Sequence, residues 1–203
     1  MEPYLAASER NAIAAFADTA ASELNAEIAK MGANICDPQH GIAYRIKSED
    51  SIRRKLQGRK STVSAPMELC DIVGIRVLCT CRNQVGAALE AVKSWEVRME
   101  LGRKSQKEYL QSAGEAGYSA THIHFLLQNE RRLSLPKPVT VEVQVTTWLQ
   151  HLHGMITHEM WYKRGDSEKT RPIKSKLERF AEQIMELEDE VSELLMPEGN
   201  SAR

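Results

Sequence analysis

Seventeen residues, Tyr44 to Lys60, read YRIKSEDSIRRKLQGRK and carry seven cations: Arg45, Lys47, Arg53, Arg54, Lys55, Arg59 and Lys60. Only Glu49 and Asp50 oppose them within the segment, yet the formal net charge of the chain is −1. The positive charge is therefore local, and not part of the broad basic face expected of a general polyanion binder. Two acids elsewhere answer it. Asp71 opens the apolar run DIVGIRVLCTC, and Glu142 stands inside VTVEVQVTT. Carboxylates hold Mg2+ through oxygen ligands, the metal bridges nucleotide phosphates, and Lys and Arg neutralise the remaining phosphate charge. Two acids on neighbouring strands facing a cationic helix thus form a candidate phosphoryl-transfer site. It has no glycine-rich phosphate loop, since neither GxxxxGK[ST] nor GxGxxG occurs in the chain.

In VTVEVQVTT the strand alternation sends Val141, Val143 and Val145 to one side and Glu142, Gln144 and Thr146 to the other. The polar set reads equally as a solvated sheet face or as the floor of a site. Arg76, within GIRVLC, needs a partner, because an unpaired charge is costly to bury.

These residues need a scaffold. Alanine-rich sequence from about Ser8 to Met31, with Ile13, Phe16, Leu24, Ile28 and Met31 at helical spacing, predicts a first helix, stopped by GAN. GIAYRIKS predicts a strand, and Ser48, Asp50 and Ser51 a helix start for the charged segment. Strands follow at 71–81, YSATHIHFLLQ and VTVEVQVTT, with a short helix VGAALEAVKSW and a polar loop RMELGRKSQKEYLQSAGEAG between the first two. Trp148 to Lys163 reads as a helix. A last helix spans about Ile173 to Met196, with Leu177, Phe180, Ile184, Leu187, Val191 and Leu194 as its apolar stripe. The order α-β-α-β-α-β-β-α-α predicts an α/β (α+β) domain, a mixed sheet with helices packed on it. One domain is expected over 1–203, its core at about 40–165 and long terminal helices at about 8–31 and 173–196. Those helices serve as bundle arms or as an oligomer surface.

Composition is that of a globular chain: 42% hydrophobic, 27% charged and 5% aromatic. Cys36, Cys70, Cys79 and Cys81 form no CxxC pair and no zinc spacing, so reduced structural thiols are expected. No signal-peptide h-region and no membrane span are read, which makes the cytoplasm the expected compartment.

The ordered series YRIKSEDSIRRKLQGRK, DIVGIRVLC, Gly117–Tyr118 with His122, VEVQV and THEMWYK resembles the RelA/SpoT-type alarmone synthetase domain over roughly Tyr44 to Lys163. The length resembles that of the small single-domain synthetases, and the resemblance implies a nucleotidyltransferase-like synthetase fold. It also implies Mg2+-dependent transfer of the β,γ-pyrophosphate of ATP to the 3′-hydroxyl of GDP or GTP. Arg45 and Arg76 would then sandwich the adenine, and Lys47, Ser51, Lys55 and Arg59 would hold the ATP phosphates. Asp71 would be the principal metal ligand. Glu142 would sit at the reacting centre as a metal ligand or proton acceptor. Tyr118 would stack on the acceptor base, with His122, Gln144 and His158 lining the acceptor side. A homotetramer is implied in the same way.

The chain departs from the family pattern on the acceptor side. Where the family reads close to K-x-N-G-Y-R-S-x-H, this chain has GEAGYSATH: Gly114 replaces Lys, Ala116 Asn, Ser119 Arg and Ala120 Ser. Thr146 replaces the Arg of Q-[IV]-R-T, and Thr157 precedes His158 where the family has Glu. Arg103, Lys104 and Lys107 are candidate compensating cations. Three readings follow: the same reaction with a rearranged acceptor site, the same chemistry on an adenine nucleotide or a tRNA 3′ end, or a nucleotide-binding protein without turnover.

The other histidines have plainer readings. His151 and His153, two apart on a helix, are expected to be surface or core residues. His122 and His124 share a strand face, as a metal pair or, more simply, a polar lining. Trp148 and Trp161 are expected to pack in the helical layer.

Overall fold

The computed structural model describes residues 5–32, 42–58, 69, 71–99, 102–108, 117, 119–126, 140–162 and 171–195. Its elements are α1 (Ala7–Met31), β1 (Ile42–Ile46), α2 (Glu49–Gly58), β2 (Val73–Cys79), α3 (Val85–Arg98), β3 (Gly102–Glu108), β4 (Thr121–Leu126), β5 (Thr140–Thr147), α4 (Trp148–Thr157) and α5 (Arg171–Leu194). A 3-10 turn at Arg82–Gln84 leads into α3, and a π-helical turn at His158–Tyr162 continues α4.

The five strands form one sheet in the order β1-β2-β5-β4-β3. Only β2 and β5 run parallel; the other neighbours are antiparallel. The segment read as a polar loop contains β3, a correction. Its GRKSQKE sequence lacks the apolar alternation that marks a half-buried strand, and backbone pairing to β4 on one side holds it at the sheet edge. β2 also ends two residues earlier than expected, leaving Cys81 outside it. Cys79 and Cys81 are both buried.

One face of the sheet is core. Val73, Ile75 and Val77, with Val141, Val143 and Val145, pack there with Ile123 and Phe125 beneath α1 and α3. Ile13, Phe16, Leu24 and Ile28 of α1 join this cluster, and Trp95 of α3 meets Phe125 edge-on at 5.8 Å. Each such side chain contributes roughly 1.5–3 kcal/mol by leaving water. Because side chains alternate, burying the valines obliges Glu142 and Gln144 to face the other way.

α5 departs from its predicted stripe. It buries Leu177, Ala181, Ile184, Glu188 and Ser192, while Leu187 and Leu194 are exposed. The helix is turned so that Glu188 accepts from the Thr147 hydroxyl at the end of β5. Trp161 is buried with Leu177, but Trp148 is 40% exposed and so does not pack as expected.

Candidate active site

The register of the sheet lays the polar face out as a grid. One row runs Arg45–Gly74–Glu142–His124, and the next Ala43–Arg76–Gln144–His122. By register, Ser105 and Lys107 of β3 occupy the far ends of these rows. Gly74 lies between Arg45 and Glu142. A Cβ there would stand 3.4 Å from Arg45 Nε, so the missing side chain leaves the guanidinium room across the sheet.

β1 leads directly into α2, whose start is fixed by Ser48: its Oγ accepts the Ser51 backbone N–H at 3.3 Å. This turn brings Lys47, at the end of β1, and Lys55, on α2, onto the same oxygen of Asp71. Both ammoniums donate to Oδ2, Lys55 at 2.7 Å. Burial pushes the Asp71 carboxyl up, but hydrogen bonds from Lys47 and then Lys55 outweigh it and hold the group below its ordinary range. Burial lowers the Lys47 ammonium and Asp71 opposes that; with two charged hydrogen-bond partners on one carboxylate, the ionised cluster is the state the geometry favours. Asp71 Oδ1 is buried and has no hydrogen-bond partner among the described residues.

Glu142 is buried on β5. Its Oε1 contacts His122 Nδ1 at 3.0 Å and His124 Nε2 at 3.3 Å, and its Oε2 accepts Gln144 Nε2 at 3.2 Å. Burial raises this carboxyl, His122 and His124 lower it, and the result is a shift downward. The Asp71 charge acts on Glu142 in the opposite sense, so the two acids share one electrostatic site. Both histidines turn onto the carboxylate, and among the described residues no group of three or more His, Cys, Asp or Glu is arranged around a metal position.

Arg76 donates to Gln144 Oε1 at 3.4 Å from Nε and lies 3.3 Å from His151 Nε2 through Nη1. Arg45, Arg76, Gln144 and Thr146 form one wall of a cleft of about 550 Å³, and Gln150, His151, Gly154, Met155, His158 and Glu159 form the other. Arg45, Arg76, Glu142 and Gln144 also meet in a smaller adjoining recess.

The structure therefore brings Arg45, Lys47, Lys55, Asp71, Arg76, Glu142, Gln144 and His122 to one end and face of the sheet, and places His158 on the opposite wall of the cleft. Ser51 is engaged at the helix start, where its hydroxyl bonds Ser48 and Arg54. Arg59 and Tyr118 lie outside the described residues. Sequence reasoning does not find the lining residues Gln150, His151, Gly154, Met155 and Glu159. His151 was compared with His153, whereas its separation of seven from His158, two helical turns, is what puts it on the cleft wall. His153 is a core residue, its Nε2 2.9 Å from the Leu177 carbonyl.

Toward the C-terminal end of β5, Ser119 and Thr146 are buried, and the Thr146 hydroxyl donates to the Ser119 carbonyl at 3.0 Å. Gly117 sits nearby with φ +82°, a conformation L side chains rarely adopt, and a Cβ there would come within 2.4 Å of Ala181 Cβ on α5. Helix α5 thus packs directly on Gly117.

The model of the region found in RelA/SpoT proteins matches residues 44–167, more than half of the chain. The chain belongs to the RelA/SpoT family. The RelA/SpoT region begins in β1 and includes the cationic α2, both acids and α4. A search of curated proteins finds no match. Among solved structures, small alarmone synthetase 1 from Bacillus subtilis, bound to its product pppGpp, is 24% identical with a TM-score of 0.67, over 88% of this chain and 92% of that one. Small alarmone synthetase 2 from the same organism is 22% identical with a TM-score of 0.69, over 92% and 93%. A GTP pyrophosphokinase family protein from Streptococcus pneumoniae is 22% identical with a TM-score of 0.65, over 88% and 89%. The fold is that of the small alarmone synthetases.

Proposed function

We propose that this RelA/SpoT protein is an ATP-dependent pyrophosphokinase acting on GDP or GTP. The observation that carries the reading is the Lys47–Asp71–Lys55 cluster beside a sheet face bearing Arg45, Arg76 and Glu142. Arg45 and Arg76 hold the adenine between guanidinium planes, which stack well on π faces. Lys47, Ser51, Lys55 and Arg59 hold the phosphates. The acceptor 3′-oxygen attacks the β-phosphorus of ATP, the bond from that phosphorus to the α,β-bridging oxygen breaks, and AMP leaves. Glu142, ionised, accepts the hydroxyl proton or adds a ligand to the cation. Tyr118, His122, Gln144 and His158 line the acceptor.

The residues fit Mg2+. Asp71 Oδ1 is a buried oxygen acceptor with no hydrogen-bond partner among the described residues, and two carboxylates completed by substrate phosphates are the donor set this ion takes. Bound there, Mg2+ would offset charge on the transferring phosphates.

The burial of Ser119 and Thr146, where the family carries cations, favours a second reading: the same transfer to an acceptor with fewer phosphates, an adenine nucleotide or an RNA 3′ end. Incubation with γ-labelled ATP and GDP, GTP, AMP or bulk tRNA separates the readings. Label on GDP or GTP is expected; label on AMP or tRNA alone selects the second. No transfer with intact ATP binding means a binding protein without turnover. Glu142→Gln should slow transfer by at least about a hundredfold while sparing ATP affinity, and normal turnover of that variant refutes the catalytic assignment.

We propose a single domain over 1–203. The exposed Trp148, Leu152 and Met155 on one face of α4 support self-association, a tetramer by family resemblance, measurable by light scattering. The cytoplasm is the proposed compartment, since the cysteine spacing is that of reduced structural thiols, and no described helix is long and apolar enough to cross a membrane.

A further inference from the structure

We propose that Lys47 and Lys55 act as internal counter-ions of Asp71, so that the cation site opens only when a polyphosphate draws the two ammoniums away. The inference rests on the ATP-dependent reading above and goes beyond it, to the order in which the site is assembled.

Three observations carry it. Both ammoniums donate to a single oxygen, Asp71 Oδ2, while Oδ1 is buried without a partner among the described residues. The principal metal ligand therefore has one oxygen occupied twice and the other enclosed. Second, the side chains of Lys47 and Asp71 are each only 13% exposed, so water does little to screen them. Lys55, at 38%, is the member with access to solvent and the one placed to swing first. Third, the other acid is also committed: Glu142 has His122 and His124 on Oε1 and Gln144 on Oε2.

A divalent cation arriving alone meets two positive charges on its main ligand and no second carboxylate ready to share it. A nucleotide polyphosphate reverses this. Its oxygens offer Lys47 and Lys55 stronger anionic partners, their departure releases Asp71 Oδ2, and the phosphates supply the remaining ligands. Metal and nucleotide must then tighten one another by the same factor.

The test is Mn2+ binding, followed by electron paramagnetic resonance, in the full-length protein with and without a non-hydrolysable ATP analogue whose own affinity is measured in parallel. Lys55→Met and Lys47→Met are compared with the wild type, each checked for folding by circular dichroism. In the wild type, Mn2+ should bind weakly alone and at least about tenfold more tightly with the analogue present. Lys55→Met should bind Mn2+ without nucleotide at least about tenfold more tightly than the wild type, and adding Asp71→Asn should abolish that gain. Lys47→Met supplies the same readout should Lys55→Met fail to fold. Wild-type protein that binds Mn2+ alone as tightly as either lysine variant overturns the proposal, as does a gain that survives Asp71→Asn. If the analogue binds and these results fail, only the counter-ion proposal falls. If the analogue does not bind at all, the ATP reading falls with it.

Discussion

Asp71 and Glu188 are both removed from water, at opposite ends of the region just described, and they respond in opposite directions. Asp71, with two ammoniums on it, is held below the ordinary carboxylate range. Glu188 of α5, with the Thr147 hydroxyl and the Gln150 amide as its hydrogen-bond partners, is pushed above that range by burial. Desolvation acts on both; full positive charges in contact reverse it, and neutral donors only reduce it. The Asp71 end is thus built to keep charge. The Glu188 end is built by enclosure: Ser119, Thr146, Thr147 and Glu188 are buried, and α5 closes over Gly117.

Removing a member from each end measures this contrast. Asp71→Ala leaves Lys47 facing a half-buried site without its anion, and should lower stability in urea denaturation by about 2–3 kcal/mol. A loss well below that range would mean that water reaches the Asp71 end freely. Gly117→Ala combines a positive φ with a Cβ placed against α5, so a loss of about 2 kcal/mol is expected by the same measurement. ATP affinity should be unchanged, and a parallel loss of it would show the two ends to be coupled. Arg76→Ala should weaken ATP binding about tenfold in calorimetry; unchanged affinity removes the stacking role.

The smallest effect belongs to Glu188→Gln. A carboxyl whose folded pKa is raised favours folding in its protonated form. Its contribution is full at acid pH and is lost as pH rises through the ordinary carboxylate range toward the raised folded value. The amide removes that loss and offers a donor to Gln150 Oε1, a buried acceptor with no partner. Stability at neutral pH should rise by about 0.5–1 kcal/mol, and its pH dependence above the acid range should flatten. A decrease would mean that the Glu188 charge is needed.

Sequence reading succeeded where period and chemistry coincide. The alternation of VTVEVQVTT placed Glu142 and Gln144 opposite the valines, and Ser48 marked the start of α2. It failed where a tertiary neighbour decides. β3 has no apolar period of its own, and its pairing with β4 is what makes it a strand. The buried face of α5 follows Glu188 because its partner, Thr147, lies 41 residues away in the chain. His151 was passed over because its partner, Arg76, is 75 residues distant.

The parallel register of β2 and β5 sets a rule for how such a chain can diverge. Substitutions can alter the lining of the cleft one position at a time. Losing or gaining one residue inside β5 would shift every later position by half a pleat, carrying reactive groups into the interior and aliphatic ones into the cleft. Length variation among working homologues should therefore be confined to the connections between strands.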